Sequence, residues 1–386
     1  MRARELGIEI GFGKPGPNNA ITDVEGVSVG HSTIIEGEGN LEVGRGPIRT
    51  GVTIIRPHEG VVAEQPLFAG CHSLNGNGEV TGLVWLKQSG QLTSSIGITN
   101  SHSVGVVRDT LAAIDTEERQ PDHLYWSLPV VGETWDGMLN DINGFHVKPE
   151  HVRAAYESAS DGPVAEGNVG GGTGMVCYMF KGGTGTASRV LPEEAGGYTV
   201  GVLVQANFGT RRDYQVNGAP VGQHIDEKSI PVPLPPEEEK NPATGAFAPP
   251  SGAGSIVGIA ATDAPLLPYQ CDSLAQRVGL GVSRTGNCGD HWSGDIFLAF
   301  STANRLPGSG LTWPAPLTAE VTMLSNNYLD PLYDAVIEAT MEAILNAQLA
   351  AETMVGRDGV TAYALDPELL LSILTRYGRL QCSVGA

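Results

Sequence analysis

The chain has 386 residues and a formal net charge of −20 without a basic patch, which argues against a nucleic-acid-binding protein. Its hydrophobic and charged fractions, 41% and 17%, are ordinary for a globular protein, and its length allows two or three domains or one large layered α/β fold. Five scattered cysteines argue against a disulfide framework or a zinc ribbon, and no segment reads as a signal peptide or a membrane span, so we expect a cytosolic protein.

Residues 20–108 predict short strands, because brief apolar runs alternate with glycines. The clearest runs are GVTIIRP (51–57), VTGLVWL (80–86) and SSIGITN (94–100). Two helices are predicted after them, DTLAAIDTEER (109–119) and KPEHVRAAYESA (148–159), the second with Pro149 in its first turn.

Residues 162–190 are predicted to be rich in loops, because glycines are dense there. YTVGVLVQANFG (198–209) predicts a strand that ends at Asn207. Residues 228–254 combine Pro, Gly and Glu without a hydrophobic period, which predicts an extended, exposed linker.

The C-terminal part predicts a strand, a helix and a second strand, at residues 255–262, about 268–280 and 293–303. Two helices follow, at 329–354 and 366–378, and the second has Asp366 as N-cap and Pro367 at its first position. Strands followed by helices predict a layered α/β or α+β sandwich.

Three common site motifs are present only in part. VGGGTGMV (169–176) and KGGTGTAS (181–188) match neither the dinucleotide fingerprint nor the P-loop, which favours turns or site walls. In CGDHW, the side chains of Cys288, Asp290 and His291 are too close in sequence to converge readily on one zinc ion. GVSVG (26–30) matches the G-x-S-x-G serine elbow, but no helix is predicted after it, which favours a half-exposed strand.

Ser255 is a better candidate nucleophile. It follows Gly254 where the linker ends and an apolar strand begins. If the bond between these two residues is cut, Ser255 gains an α-amine, whose pKa is about 8 in peptides, and this amine can act as the base for its own hydroxyl. The alternative is a serine that simply ends a loop.

Segments along nearly the whole chain resemble the DmpA-type family of self-processing aminopeptidases, which includes the L-aminopeptidase/D-amidases and the β-peptidyl aminopeptidases. These segments are, in chain order, NAITDVEGVSVGH, NGNGEVTGL, TNSHSVGVVRD, VVGETWDG, EGNVGGGTGM, VLVQANFG, GAGSIVGIAATDAPLLP and SGDIFLAFSTAN. The resemblance implies an α/β (α+β) fold, a four-layer α/β/β/α sandwich similar to that of the ornithine acetyltransferases.

The resemblance also implies how the chain is divided. One layered domain would span residues 1–386, and cleavage between Gly254 and Ser255 would give an α chain and a β chain. These chains would be residues 1–254, ending in the exposed linker 228–254, and residues 255–386.

The family's catalytic residues fall on four positions. Ser255 would be the nucleophile, Ser293 would hydrogen-bond to it and position or relay its proton, and Asp295 would orient Ser293. The β-peptidyl members have glutamate at the Asp295 position, which is one methylene longer. Asn207 would donate to the oxyanion, whereas a strand-end turn is the simpler explanation of this asparagine.

Two further residues are implied to bind substrate. Glu133 would receive the substrate's free amine, and Trp135 would line the pocket. A solvated turn is the alternative for Glu133.

The predicted function is release of small N-terminal residues from peptides, amides or esters that carry a free amine, through an acyl-enzyme on Ser255. No cofactor or metal and no nucleic-acid or membrane partner is expected, and the family implies a homo-oligomer, a tetramer of αβ units. One alternative is an acyltransferase similar to the ornithine acetyltransferases, although those use threonine as nucleophile. The other is an unprocessed, non-catalytic binding protein.

Overall fold

Two β-sheets form the centre of the fold, in a computed structural model that describes residues 1–119, 125–234, 254–308 and 316–380. The strands are β1 (Ser28–Glu36), β2 (Ile48–Arg56), β3 (Leu67–Ser73), β4 (Gln91–Leu92), β5 (Ile96–Asn100), β6 (Val130–Thr134), β7 (Val176–Cys177), β8 (Phe180–Lys181), β9 (Gly183–Val190), β10 (Thr199–Asn207), β11 (Gly254–Thr262), β12 (Ser293–Arg305), β13 (Met354–Val355) and β14 (Thr361–Ala362). The helices are α1 (Leu83–Ser89), α2 (Val104–Glu118), α3 (Pro149–Glu157), α4 (Val221–His224), α5 (Pro268–Arg284), α6 (Asp330–Leu349) and α7 (Pro367–Arg376).

Both central sheets are mixed. The four-stranded sheet has the order β1-β2-β5-β6, and the six-stranded sheet has the order β4-β3-β12-β11-β10-β9. The pairs β5-β6 and β11-β12 run parallel, and the other neighbouring pairs run antiparallel. The hairpins β7-β8 and β13-β14 form two small separate sheets.

The four-stranded sheet is buried on both faces. Ile55 of β2 belongs to the core between the two central sheets. Its neighbour Ile54 points to the opposite face and packs in one cluster with Val107 of α2 and Val152 of α3. Helices α2 and α3 therefore form one outer layer.

The six-stranded sheet is also buried on both faces. Leu203 of β10 joins the core between the sheets, whereas Val202 belongs to a cluster with Val278 of α5 and Val336 of α6. Helices α5 and α6 therefore form the other outer layer. The predicted four-layer α/β/β/α sandwich is confirmed, and β2, β10 and β11 are buried along almost their whole length because other layers cover both of their faces.

Most predicted elements are confirmed with small shifts of their ends. The Asp366 side chain caps α7 by accepting hydrogen bonds from the backbone N–H groups of Glu368 and Leu369. Helix α2 begins at Val104, five residues before the predicted start at 109. Most of the predicted linker, residues 235–253, lies outside the described residues.

Two predictions are wrong. VTGLVWL is not a strand, because α1 begins at Leu83; this short surface helix buries Leu86 and leaves Val84 exposed, so its apolar run does not mark a buried strand. The predicted loop region 162–190 contains β9, which is buried along almost its whole length. Glycine is required there by packing, since a Cβ on Gly185 would lie 2.0 Å from the carbonyl oxygen of Ala343 in α6.

Within the described ranges, no helix combines the length and apolar character needed to cross a membrane.

Candidate active site

Ser255 is the second residue of β11 and lies between the end of β10 and the start of β12. Its backbone is paired with Asn207 in the antiparallel register and with Gly294 in the parallel register. Only 2% of Ser255 is exposed. Its nitrogen belongs to the peptide bond with Gly254, so the α-amine can exist only after that bond is cut.

Ser293 is the register partner of Gly254, so it lies beside the peptide bond that precedes Ser255. Its hydroxyl donates a 2.6 Å hydrogen bond to Oδ1 of Asp295. Because the Ser293 proton is directed to the carboxylate, the lone pairs of its oxygen remain available to accept a hydrogen bond from another hydroxyl.

Asp295 is held by two asparagines in addition to Ser293. The Nδ2 groups of Asn75 and Asn287 each donate to Asp295 Oδ2 at 3.2 Å, and the backbone N–H of Asp295 donates to Oδ1 of Asn75 at 2.5 Å. Burial raises the Asp295 pKa above its ordinary value, and the hydrogen bonds from Ser293, Asn75 and Asn287 oppose part of that rise.

The Asn207 amide is oriented by two hydrogen bonds. Its Nδ2 donates to the carbonyl oxygen of Trp135 at 2.8 Å, and its Oδ1 accepts from the backbone N–H of Val176 at 2.9 Å. The two partners permit one orientation of the amide, because a carbonyl only accepts and an N–H only donates. One Nδ2 proton remains for a ligand beside Ser255.

Glu133 is a buried strand residue of β6, 6% exposed, so the alternative of a solvated turn is wrong. Its Oε1 accepts from the backbone N–H of Glu79 at 2.8 Å, and its Oε2 accepts a short hydrogen bond from the Ser101 hydroxyl. Burial raises the Glu133 pKa, and these hydrogen bonds limit the rise. A Cβ on Gly78 would lie 3.3 Å from Glu133 Oε1 and 3.0 Å from Cα of Gly294, which brings this carboxylate close to the strand beside Ser255.

Trp135 is a half-buried residue whose side chain packs against a small cluster that includes Leu139, Val176 and Val360. Its contact with Asn207 is through its backbone, since its carbonyl oxygen accepts from the Asn207 amide. The sequence suggested a pocket-lining side chain, and the structure adds this backbone role.

Several supporting residues were not found by sequence reasoning. Asn75 and Ser101 lie within the segments that carried the family resemblance, and Asn287 precedes the CGDHW segment. No local pattern distinguishes Asn75 and Ser101, because their partners Asp295 and Glu133 are distant in the chain, whereas Asn287 lies only 8 residues before its partner Asp295.

The side chains of Ser28 and Cys288, from two of the rejected motifs, lie outside this group, whereas the glycine-rich segment 169–176 supplies the Val176 N–H that orients Asn207. Ser28 opens β1 and lines a polar cavity of about 940 Å³ with Asp263 and Arg305, near the C-terminal ends of β11 and β12. The Cys288 thiol donates to Asp290 Oδ1 at 3.4 Å on the surface. In the part of the chain that the structure describes, no three His, Cys, Asp or Glu side chains are grouped so that they could hold a metal ion.

The model of peptidase family S58 matches residues 19–362. The chain belongs to this family. The beta-peptidyl aminopeptidase BapA of Sphingosinicella microcystinivorans is 49% identical over 384 residues, which cover 98% of this chain and 93% of that relative.

Two solved structures are similar to this S58 peptidase over its length. The Burkholderia sp. beta-aminopeptidase has 48% identity and a TM-score of 0.88, with 98% of this chain and 99% of that chain covered. The L-aminopeptidase D-Ala-esterase/amidase of Ochrobactrum anthropi, described as a variant of the Ntn hydrolase fold, has 42% identity and a TM-score of 0.85, with 98% and 99% covered. The S58 peptidase is therefore an Ntn-type hydrolase with aminopeptidase/amidase function.

Proposed function

We propose that this S58 peptidase cuts its own Gly254–Ser255 bond and then uses Ser255 to release small N-terminal residues from peptides, amides or esters. The observation that carries the proposal is the register of three neighbouring strands. Ser255 starts β11 between Asn207, which ends β10, and Ser293, which starts β12. The proposed nucleophile, oxyanion donor and proton-handling hydroxyl therefore lie on neighbouring strands at one end of the sheet.

In self-cleavage, the hydroxyl oxygen of Ser255 attacks the carbonyl carbon of Gly254. The C–N bond of that peptide then breaks, and its nitrogen takes up the proton that the hydroxyl loses. The resulting ester is hydrolysed by water, which leaves a carboxylate on Gly254 and a free amine on Ser255. Ser293 is suited to guide the proton, because it lies opposite Gly254 and is oriented by Asp295.

In turnover, the neutral α-amine of Ser255 accepts the proton of its own hydroxyl while the oxygen attacks the substrate carbonyl. The Asn207 Nδ2 group donates to the developing oxyanion. The leaving amine takes the proton, and water then hydrolyses the acyl-enzyme. These reaction steps use only Ser255, Asn207, the substrate and water.

Glu133 is proposed to select substrates that carry a free amine. The Glu133 carboxylate is proposed to pair with the free ammonium of the substrate, in a charge-assisted hydrogen bond. Two of the similar proteins are named for β-peptide or β-amino substrates. We therefore extend the proposal to substrates with a small N-terminal β-residue as well as an α-residue.

The decisive experiment compares purified wild type with Ser255→Ala by intact mass and N-terminal sequencing, followed by hydrolysis of α- and β-residue p-nitroanilides. Two chains and release of p-nitroaniline are expected for wild type only. A whole, inactive wild-type chain would favour the unprocessed binding protein, and transfer to added amines in excess of hydrolysis would favour the acyltransferase.

The assembly and compartment are part of the same proposal. We infer a tetramer of αβ units, which light scattering on the processed protein tests. A cytoplasmic location is supported by cysteines that are free in the described ranges, namely Cys71, Cys177, Cys271 and Cys288, and fractionation of the native host tests it.

A further inference from the structure

Lys181 is a fully buried lysine behind the proposed oxyanion donor. It ends β8, and its ammonium donates to the carbonyl oxygens of Met175 at 2.9 Å, Gly182 at 2.8 Å and Gly172 at 3.5 Å. None of the described residues forms an ion pair with it, and it interacts electrostatically with the buried Cys177 thiol, whose own pKa is raised by burial. Burial lowers the Lys181 pKa to about 7.

The three carbonyls explain why a lysine fits this place. A charged ammonium has three donors and no acceptor, so its N–H groups match three carbonyl oxygens. An apolar side chain of similar length would leave these carbonyls without this donor in a buried environment.

One of the three carbonyls belongs to the peptide group that holds Asn207. The carbonyl of the Met175–Val176 peptide accepts from Lys181 Nζ and from the Gly182 N–H at 2.8 Å. The N–H of the same peptide donates to Asn207 Oδ1 at 2.9 Å. A hydrogen bond from Lys181 to the carbonyl oxygen withdraws electron density from the peptide, most strongly when the side chain is protonated, and this makes the peptide N–H a stronger donor. The same polarisation passes through the Asn207 amide and strengthens its Nδ2 donors.

The hairpin that carries Lys181 is fixed at an energetic cost. Tyr178 and Met179 form its two-residue turn with φ values of 52° and 60°, a left-handed conformation that non-glycine residues rarely adopt. Surrounding groups hold this turn: the Tyr178 hydroxyl is 2.7 Å from Thr285 Oγ1, and Arg211 donates to the Met179 carbonyl. Such local strain is often found near functional sites.

We propose that Lys181 is a positioning residue for catalysis: through the Met175–Val176 peptide, its ammonium holds and polarises the amide of Asn207. This inference rests on the proposed role of Asn207 as oxyanion donor. Lys181 itself does not contact the substrate, so it should affect the transition state more than substrate binding.

The first measurement is the kinetics of processed Lys181→Met enzyme. We expect kcat to fall about tenfold, less than the 10²–10³ typical of losing a direct oxyanion donor, while KM changes by less than about twofold. Lys181→Gln retains two donors without the charge and should show the same direction, and it replaces Lys181→Met if that variant does not fold. A folded neutral variant with wild-type kcat would overturn the proposal.

A double-mutant cycle separates this role from a merely structural one. In an Asn207→Ala background, Lys181→Met should change kcat by less than about twofold, because the group through which it acts is gone. Arg211→Met is the matched control. Arg211 is a buried basic residue outside the hairpin, and it donates to the carbonyl oxygens of Met179 in the hairpin and of Ile230, away from the Met175–Val176 peptide. Arg211→Met should change kcat by the same factor in wild type and in Asn207→Ala.

Different results would contradict the role of Asn207 as oxyanion donor and the role of Lys181 as positioning residue. An unchanged kcat in Asn207→Ala would remove the oxyanion assignment itself. A large loss in Asn207→Ala, combined with a full tenfold effect of Lys181→Met in that background, would overturn only the role of Lys181.

Discussion

Ser255 and Asn207 are direct register partners in the antiparallel pairing of β10 and β11. This pairing places the last residue of one strand beside the second residue of the next, although the two are far apart in the chain. Because side chains alternate along a strand, a slip of one residue would turn the Ser255 hydroxyl to the opposite face of the sheet. The predictions for Ser255 and Asn207 depend on this register.

Replacing Ser255 with alanine should leave the chain whole, because the attacking oxygen is lost. Wild type should yield two chains, the smaller beginning Ser-Ile-Val, as read by intact mass and N-terminal sequencing. Ser28→Ala is the matched control, since Ser28 lies in the GVSVG motif away from the site, and it should be processed normally. Cleavage of pure Ser255→Ala at the same bond would show that another group is the nucleophile.

Replacing Asn207 with alanine should lower kcat by about 10² or more, because the lost donor acts on the transition state. The carbonyl of Trp135 and the N–H of Val176 also lose their partner, so some loss of thermal stability is expected. Steady-state kinetics on fully processed protein, with circular dichroism to verify folding, measures both effects. Wild-type kcat in such a sample would contradict the assignment.

Glu133→Gln should reduce the preference for a free amine. For wild type, kcat/KM for alanine p-nitroanilide should exceed that for its N-acetyl form by about 10–200-fold, the value of a charged hydrogen bond of about 1.5–3 kcal/mol. The variant keeps the shape but not the charge, so the ratio should shrink. A large ratio that survives the substitution would point to another acid, with Asp295 first to be tested.

The same carboxylate predicts a pH effect. The pKa of Glu133 is raised by burial, so it loses its negative charge at a higher pH than an exposed glutamate when the solution is acidified. Two groups should therefore shape the acid limb of kcat/KM for free-amine substrates: Glu133, which must be charged and titrates above the ordinary glutamate range, and the Ser255 α-amine, which must be neutral. Glu133→Gln should remove only the contribution of Glu133, so that the limb then follows the amine alone. On the alkaline side, activity should fall as the substrate ammonium deprotonates near pH 8. An acid limb unchanged in the variant would assign it to a different group.

Glu166, a buried residue that is not part of the proposed active site, predicts how the folding stability of the protein depends on pH. Burial raises the Glu166 pKa to about 7, although its carboxylate forms a 2.7 Å ion pair with Arg2. The folded state therefore binds this proton more tightly than the unfolded state, so the contribution of Glu166 to stability is greatest at low pH and declines as pH rises toward 7. In thermal melts, the decrease in Tm between about pH 5 and pH 8 should be smaller for Glu166→Gln than for wild type. A wild-type slope in the variant would contradict this.

The sequence by itself determined where the critical strands begin and end. Apolar runs bounded by glycine and proline placed the end of one strand at Asn207 and the start of another at Ser255, and both boundaries are confirmed to within a residue. Strong caps such as Asp366 were also readable, because capping depends on neighbours within a few residues.

Only the tertiary structure decided which of these ends meet and what supports them. Asn75 reaches Asp295 across 220 residues of chain, and Lys181 acts on Asn207 through a peptide of a strained hairpin, so neither leaves a local pattern. The glycines of β9 were misread for the same reason, and the sequence left the burial of Glu133 open between a binding role and a solvated turn. Their environment is set by the packing of sheet on sheet and helix on sheet, and nearest-neighbour chemistry does not record those contacts.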